Sequence, residues 1–219
     1  MTLKSSLLAL VVVACGGAST PVQNPQTEPQ PVDAGGSADA AAMTASVVRF
    51  DDLGLSFAVP SGFHVVGDDE LSARIRAAAN PHLQADLRKH ASEKKGIPLL
   101  TLTQADVQDP LNLTLSVVVV PADATALELL THEQTVMSEN LSAFETTSGP
   151  KDLMLDGVAG VEMTTHYTDR SHVRAASRLR LYVRNGLATL VVTVWPEAAS
   201  GRADEATRLL DGLHFFASP

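Results

Sequence analysis

The clearest alternation of apolar and polar residues runs from Val173 to Trp195. Two β-rich runs flank Asn185-Gly186 there. Asn-Gly between such runs predicts a hairpin, because a type I′ turn needs positive φ at both central residues. A two-residue loop sets the register, so Arg184 is expected opposite Leu187, Tyr182 opposite Thr189 and Arg178 opposite Thr193. Leu179, Leu181 and Val183 then share a face with Ala188, Leu190, Val192 and Val194, and that face must be core. The opposite face carries Arg174, Arg178, Arg180, Tyr182 and Arg184 and is expected to be at least partly wet.

The same reading extends in both directions. Val47–Phe50 and Leu55–Val59 predict a short hairpin around Asp51-Asp52-Leu53-Gly54, and Phe63–Val66 another short strand. Asp68-Asp69-Glu70 opens a predicted helix that restarts at Asn80-Pro81 and closes at Lys94-Lys95-Gly96. Leu99–Thr103 and Leu111–Val120 read as strands. Val117–Val120 is apolar on both faces, which suits a central strand covered on two sides. Thr125-Ala-Leu-Glu128 is a capping box that starts a long helix with Leu127, Leu130, Met137, Leu141 and Phe144 inward. Lys151–Leu155 and Val158–Tyr167 are predicted strands around Asp156-Gly157. Asp204–Leu213 is a closing helix with Ala206, Leu209, Leu210 and Leu213 on one face, and His214-Phe215-Phe216 is a last extended piece. Hairpin turns dominate, so the fold class is α+β: a mainly antiparallel sheet flanked by helices.

The chain opens differently. Lys4 precedes the apolar run Leu7–Val13, far shorter than the ~20 residues that span a bilayer. The run ends at Val12-Val13-Ala14-Cys15, which resembles the lipobox of bacterial lipoproteins. Residues 1–14 are therefore expected to be a lipoprotein signal peptide, with Cys15 lipidated and the chain held to the membrane through that lipid. Gly16, rather than aspartate, follows the cysteine, which resembles the outer-membrane sorting pattern of a host with two membranes. From Cys15 to Ser46 the chain is Pro-, Ala- and Gly-rich and no large apolar residue supports a core, a composition that favours a disordered tether. The folded body is expected over residues 47–219.

With 219 residues and 45% of them hydrophobic, there is material for one full core. The net charge of −9 makes nucleic acid an unsuitable partner, since phosphate binding needs a cationic surplus. A single cysteine rules out an intramolecular disulfide.

Three stretches share a pattern with a known family. Gly54–Phe63 resembles the opening of PsbP-like domains, Asp156–Met163 their middle strand, and Asn185–Trp195 followed by 203–215 their end. Their order and spacing carry the likeness. The group includes photosystem II extrinsic subunits, a nuclear-import factor and bacterial lipoproteins of the DcrB and LpqN kind. The resemblance implies a PsbP-like α/β/α sandwich and a protein that binds or stabilises partners rather than catalysing.

Catalytic signatures are weak. His132-Glu133 begins like a zincin motif, but Val136 stands where the second histidine belongs. Ser92–Lys95 fits SxxK at the polar end of a predicted helix, where an activated lysine is implausible. No phosphate-cradling glycine loop occurs, and no cofactor is expected. His166, Asp169 and His172 flank a loop and offer a zinc-type donor set, the basis of an alternative reading as a metal-dependent envelope hydrolase. A solvated polar turn is the simpler explanation. Arg174, Arg178, Arg180, Tyr182 and Arg184 are the stronger lead, a local cationic strip for an envelope protein or an anionic polymer. A sheet face with cross-strand ion pairs, Glu162 to Arg178 among them, explains the same residues. The expected function is thus an envelope-anchored, non-enzymatic binding or scaffold module.

Overall fold

The computed structural model describes residues 46–65, 97–104, 107, 109–169, 172–199 and 201–217. The signal peptide, Cys15, nearly all of the tether and the helix expected between residues 68 and 95 lie outside the described residues.

The centre is a seven-stranded sheet of order β3-β4-β5-β9-β8-β7-β6, antiparallel at every pairing. Its strands are β3 (Phe63–Val65), β4 (Ile97–Gln104), β5 (Asn112–Val119), β6 (Ser142–Leu155), β7 (Val158–Thr168), β8 (Arg174–Arg184) and β9 (Leu187–Pro196). Helix α1 (Ala126–Asn140) connects β5 to the far edge at β6, and the chain then returns by hairpins until β9 pairs with β5. A separate three-stranded sheet joins β1 (Ser46–Phe50), β2 (Leu55–Val59) and β10 (Leu213–Phe215), with β10 following α2 (Arg202–Leu210). The beginning and end of the folded body thus pair directly, Leu213 with Phe57 and Phe215 with Leu55.

Turn chemistry accounts for the hairpins. Asn185 and Gly186 sit at φ 53° and 74°, and Asp156 and Gly157 at 49° and 79°. These are the paired positive angles of type I′ turns, which match the twist of the strands they join. Arg184 pairs with Leu187, Tyr182 with Thr189 and Arg178 with Thr193, as the two-residue loop requires. Ala176 and Tyr182 of β8 and Val191 and Trp195 of β9 therefore join one core, and Leu179, Leu181, Leu190 and Val192 join the other.

The large sheet separates these two cores. On one side α2 and the small sheet close over it, with Phe57, Leu100, Leu115 and Leu209 among the buried side chains. On the other side α1 lies over β6, β7 and β8. The central character of β5 is confirmed, because Val117 belongs to the first core and Val118 and Val120 to the second. Val119, at the end of the strand, is 39% exposed.

The elements depart from the sequence expectation at three places. Helix α1 stops at Asn140 rather than passing Phe144. Leu141 is already extended, the Asn140 side-chain amide donates to the Val136 carbonyl, and β6 begins at Ser142. Phe144 still packs against the second core, but from a strand, while Leu127 is 49% exposed. Strand β6 accordingly runs for 14 residues rather than only over 151–155. Its register shifts near Gly149-Pro150, irregularities that blunt an exposed sheet edge. Finally, α2 ends at Leu210, and Leu213 enters a strand.

Leu181 has no solvent exposure and lies between β7 and β9 beneath α1. Truncation there costs about 2–5 kcal/mol through lost burial and a residual cavity. Net stabilities are typically ~5–15 kcal/mol. Leu181→Ala is therefore expected to lower the thermal midpoint markedly, and Leu181→Asp to abolish the cooperative transition in circular dichroism. A Leu181→Asp protein melting like the parent would refute the placement of this face in the core.

Candidate functional site

The five strip residues lie on one face of β8, and that face is only partly wet: its arginines are half-buried and Tyr182 is sealed. Tyr182 is 1% exposed and meets Phe215 edge-on with ring centroids 5.2 Å apart. Its position is fixed from β7, where Gly160 lies opposite. A Cβ at Gly160 would stand 2.5 Å from the Tyr182 ring, so only glycine admits the aromatic there. Burial pushes the Tyr182 phenol up to about 12, with the neighbouring Arg180 cation pulling the other way. The strip is wet only in part because the small sheet and α2 fold over it, bringing Phe215 and Leu209 to the same layer.

Each arginine of the strip is engaged within the chain. Arg178 donates to the Thr207 hydroxyl and, at 3.4 Å, to the Ala203 carbonyl of α2. Arg180 holds Glu162 of β7 and Asp211 beyond α2, both at 2.7 Å, with only 12% of its side chain exposed. Glu162 stands directly opposite Arg180, so its partner is Arg180 rather than the expected Arg178, which faces Thr164. Desolvation works against the Arg180 cation, but its hydrogen bonds to Glu162 and Asp211 hold its pKa above the ordinary value. Arg184 donates to three carbonyls from the two ends of the body: Leu53 at 2.6 Å, Gly54 at 3.0 Å and Phe216 at 2.9 Å. Its guanidinium also lies 5.2 Å from the centre of the Phe215 ring. These groups act as cramps between the large sheet and the layer above it.

Arg174, at the far end of β8, is the most open member. It binds Glu197 at 2.8 Å, Glu145 at 3.2 Å and the Ala143 carbonyl at 2.7 Å, with 36% of its side chain exposed. His166 joins this network, its Nδ1 lying 2.7 Å from Glu197.

That bond bears on the suggested metal set. The structure turns His166 toward Glu197 on the sheet. The Asp169 carboxylate accepts the backbone N–H of Val173 at 2.9 Å, closing the turn between β7 and β8. His172 is exposed in that turn at φ 61°. Among the described residues no three His, Cys, Asp or Glu side chains are grouped to hold a metal ion. His166, Asp169 and His172, the set behind the alternative hydrolase reading, are thus not brought together as a metal donor set among the described residues: His166 turns to Glu197 while Asp169 closes the turn.

One buried group escaped the sequence reading. Glu133 of α1 has no solvent exposure, and neither carboxylate oxygen has a hydrogen-bond partner. The signal was present in the spacing, because Leu129, Glu133 and Met137 are four residues apart and all are buried. A polar pair at Glu133-Gln134 masked it. Gln134 resolves differently, donating to the Thr146 hydroxyl of β6 at 2.9 Å.

No protein-family model matches the chain, and no curated protein does. Solved structures do match. The cyanobacterial PsbP (CyanoP) of Synechocystis sp. PCC 6803 aligns over 84% of this chain and 99% of its own, with 15% identity and a TM-score of 0.51. LpqN of Mycobacterium tuberculosis, described as involved in cell envelope biogenesis, aligns over 81% of this chain and 88% of its own, with 12% identity and a TM-score of 0.49. The Ran-binding protein Mog1p of Saccharomyces cerevisiae aligns over 80% of this chain and all of its own, with 10% identity and a TM-score of 0.40. Together with the architecture, the likeness to CyanoP shows a PsbP-like α+β fold.

Removing the Arg184 guanidinium leaves carbonyls of both chain ends without their donor. Arg184→Met is expected to cost about 1–3 kcal/mol, the usual penalty for stranding partly buried polar groups. Arg184→Lys should recover only part of it, because one ammonium lacks the planar fork that spans several carbonyls. Urea unfolding of the three proteins checks this, and equal midpoints would show that the cramp carries no stability.

Proposed function

We propose that this protein is a lipid-anchored envelope protein whose PsbP-like body is a non-catalytic binding or scaffold module. The observation that carries the reading is the place of the single cysteine: Cys15 ends the apolar run Leu7–Val13 directly after Ala14. The Pro-, Ala- and Gly-rich segment that follows reaches β1 at Ser46. Lipid on Cys15 anchors through buried methylenes at ~0.8 kcal/mol each, and the segment after it sets the reach of the body from the bilayer. Gly16 supports delivery to the outer membrane, facing the periplasm, in a host with two membranes.

The arginine face of the body is occupied in joining layers, which narrows the choice of partner. The internal engagement of Arg178, Arg180 and Arg184 makes the strip a weaker docking surface for an anionic polymer than its spacing suggests. An envelope protein meeting the outer surface of the body is the partner we favour.

Metabolic labelling with an alkyne fatty acid in a bacterial host tests the anchor. The parent chain is expected to take up label and to fractionate with membranes, while Cys15→Ser is unlabelled and released as a soluble protein. An unlabelled, soluble parent chain would end the reading. Crosslinking in the native envelope then identifies the partner.

A further inference from the structure

The buried carboxyl on α1 has surroundings that give it a consequence. Glu133 points into the second core, whose members include Leu130, Met137, Met163, Leu179 and Leu181. The elements under α1 are β6, β7 and β8. Strand alternation assigns their charges. On β8 the arginines at 174, 178, 180 and 184 alternate with Ala175, Leu179 and Leu181, so they face away from α1. On β6, Lys151 pairs with Glu162 on the arginine side, whereas Asp152 pairs with Val161 on the α1 side and is exposed. On β7 the titratable group toward α1 is the buried phenol of Tyr167. Helix α1 contributes His132, whose Nε2 is buried without a partner, and the exposed Glu128 and Glu139, but neither lysine nor arginine. Among the described residues, then, none of these elements offers a cation to an ionised Glu133.

The helix is weakly built apart from its packing. Thr131, His132, Thr135 and Ser138, weaker formers in helix interiors, follow one another from its middle onward. The hydroxyls of Thr131 and Thr135 turn back onto carbonyls one turn earlier, which competes with helix geometry. The Thr125–Glu128 capping box reinforces its first turn.

We propose that Glu133 is a proton-operated latch: protonated, it lets α1 sit on β7 and β8, and on ionising it loosens the helix and uncovers the apolar layer beneath. An ionised carboxylate at this position is closed off from solvent and has no hydrogen-bond partner among the described residues, so it favours any state in which the helix lifts. Burial pushes the Glu133 carboxyl up to about 7. Its folded-state pKa therefore lies above the unfolded one, near 4.5. The hold is complete below the unfolded value and is lost as pH rises through the folded one.

Hydrogen exchange on the full chain, corrected for intrinsic rates, tests this between about pH 6 and pH 8. Protection of the α1 amides should fall roughly tenfold across that range, most of it between about pH 6 and pH 7, while the β8–β9 hairpin keeps its protection. Glu133→Gln preserves shape and removes the ionisation, so its α1 protection should be independent of pH. That variant retains His132, which separates the two groups. The same loss of protection in Glu133→Gln would overturn the latch. A second reading needs no variant: the side-chain carboxyl carbon of Glu133 in the folded parent should titrate near neutrality by NMR, and a midpoint close to that of a free glutamate refutes the proposal.

Discussion

The two-residue turn at Asn185-Gly186 is the constraint on which the rest depends. Its positive φ angles allow one tight reversal, and that reversal sets which residues of β8 and β9 stand opposite. A shift of one residue would put the β8 arginines where Leu179 and Leu181 now pack. With the register set, one face of β8 is aliphatic and receives α1, and the other is cationic and aromatic and receives α2 with the small sheet.

The second face shows how a strand of alternating arginines can be interior. Long side chains lay their methylenes along the core while their guanidinium groups reach acceptors at the rim. Glu162, Asp211, Thr207 and the carbonyls of Leu53, Gly54 and Phe216 are those acceptors. They come from four parts of the chain, so the arginines report on assembly of the whole body rather than on one hairpin. Arg184 has the widest span, since it ties the turn after β1 to the residue after β10. Asp156 acts alongside it, accepting the Phe215 N–H at 2.9 Å from the neighbouring type I′ turn.

The two faces of the sheet differ in how they treat charge. On the α2 side every strip arginine has an acceptor, although the buried Nε of Arg178 has none. On the α1 side, Thr165 and Ser177 satisfy each other at 2.7 Å, while the Glu133 carboxyl has no such neighbour. The contrast follows from strand alternation, which sends the arginines of β8 to one side only.

Much of this was legible in the sequence. Asn185-Gly186 and Asp156-Gly157 marked their hairpins because positive φ has a local residue signature. The Thr125 capping box and the Ala206, Leu209 and Leu210 stripe likewise depend on neighbours within a few residues. The antiparallel α+β class followed from these local signals. Tertiary structure alone decided what covers each face. The pairing of β10 with β2 joins residues more than 150 positions apart, and no local pattern encodes it. That pairing buried Tyr182 and made the strip a layer joint, while the register of β7 on β8 gave Glu162 to Arg180. It was likewise packing against the sheet that ended α1 at Asn140 and sealed Glu133 beneath it, because a residue's period shows which way it points but not what it will meet there.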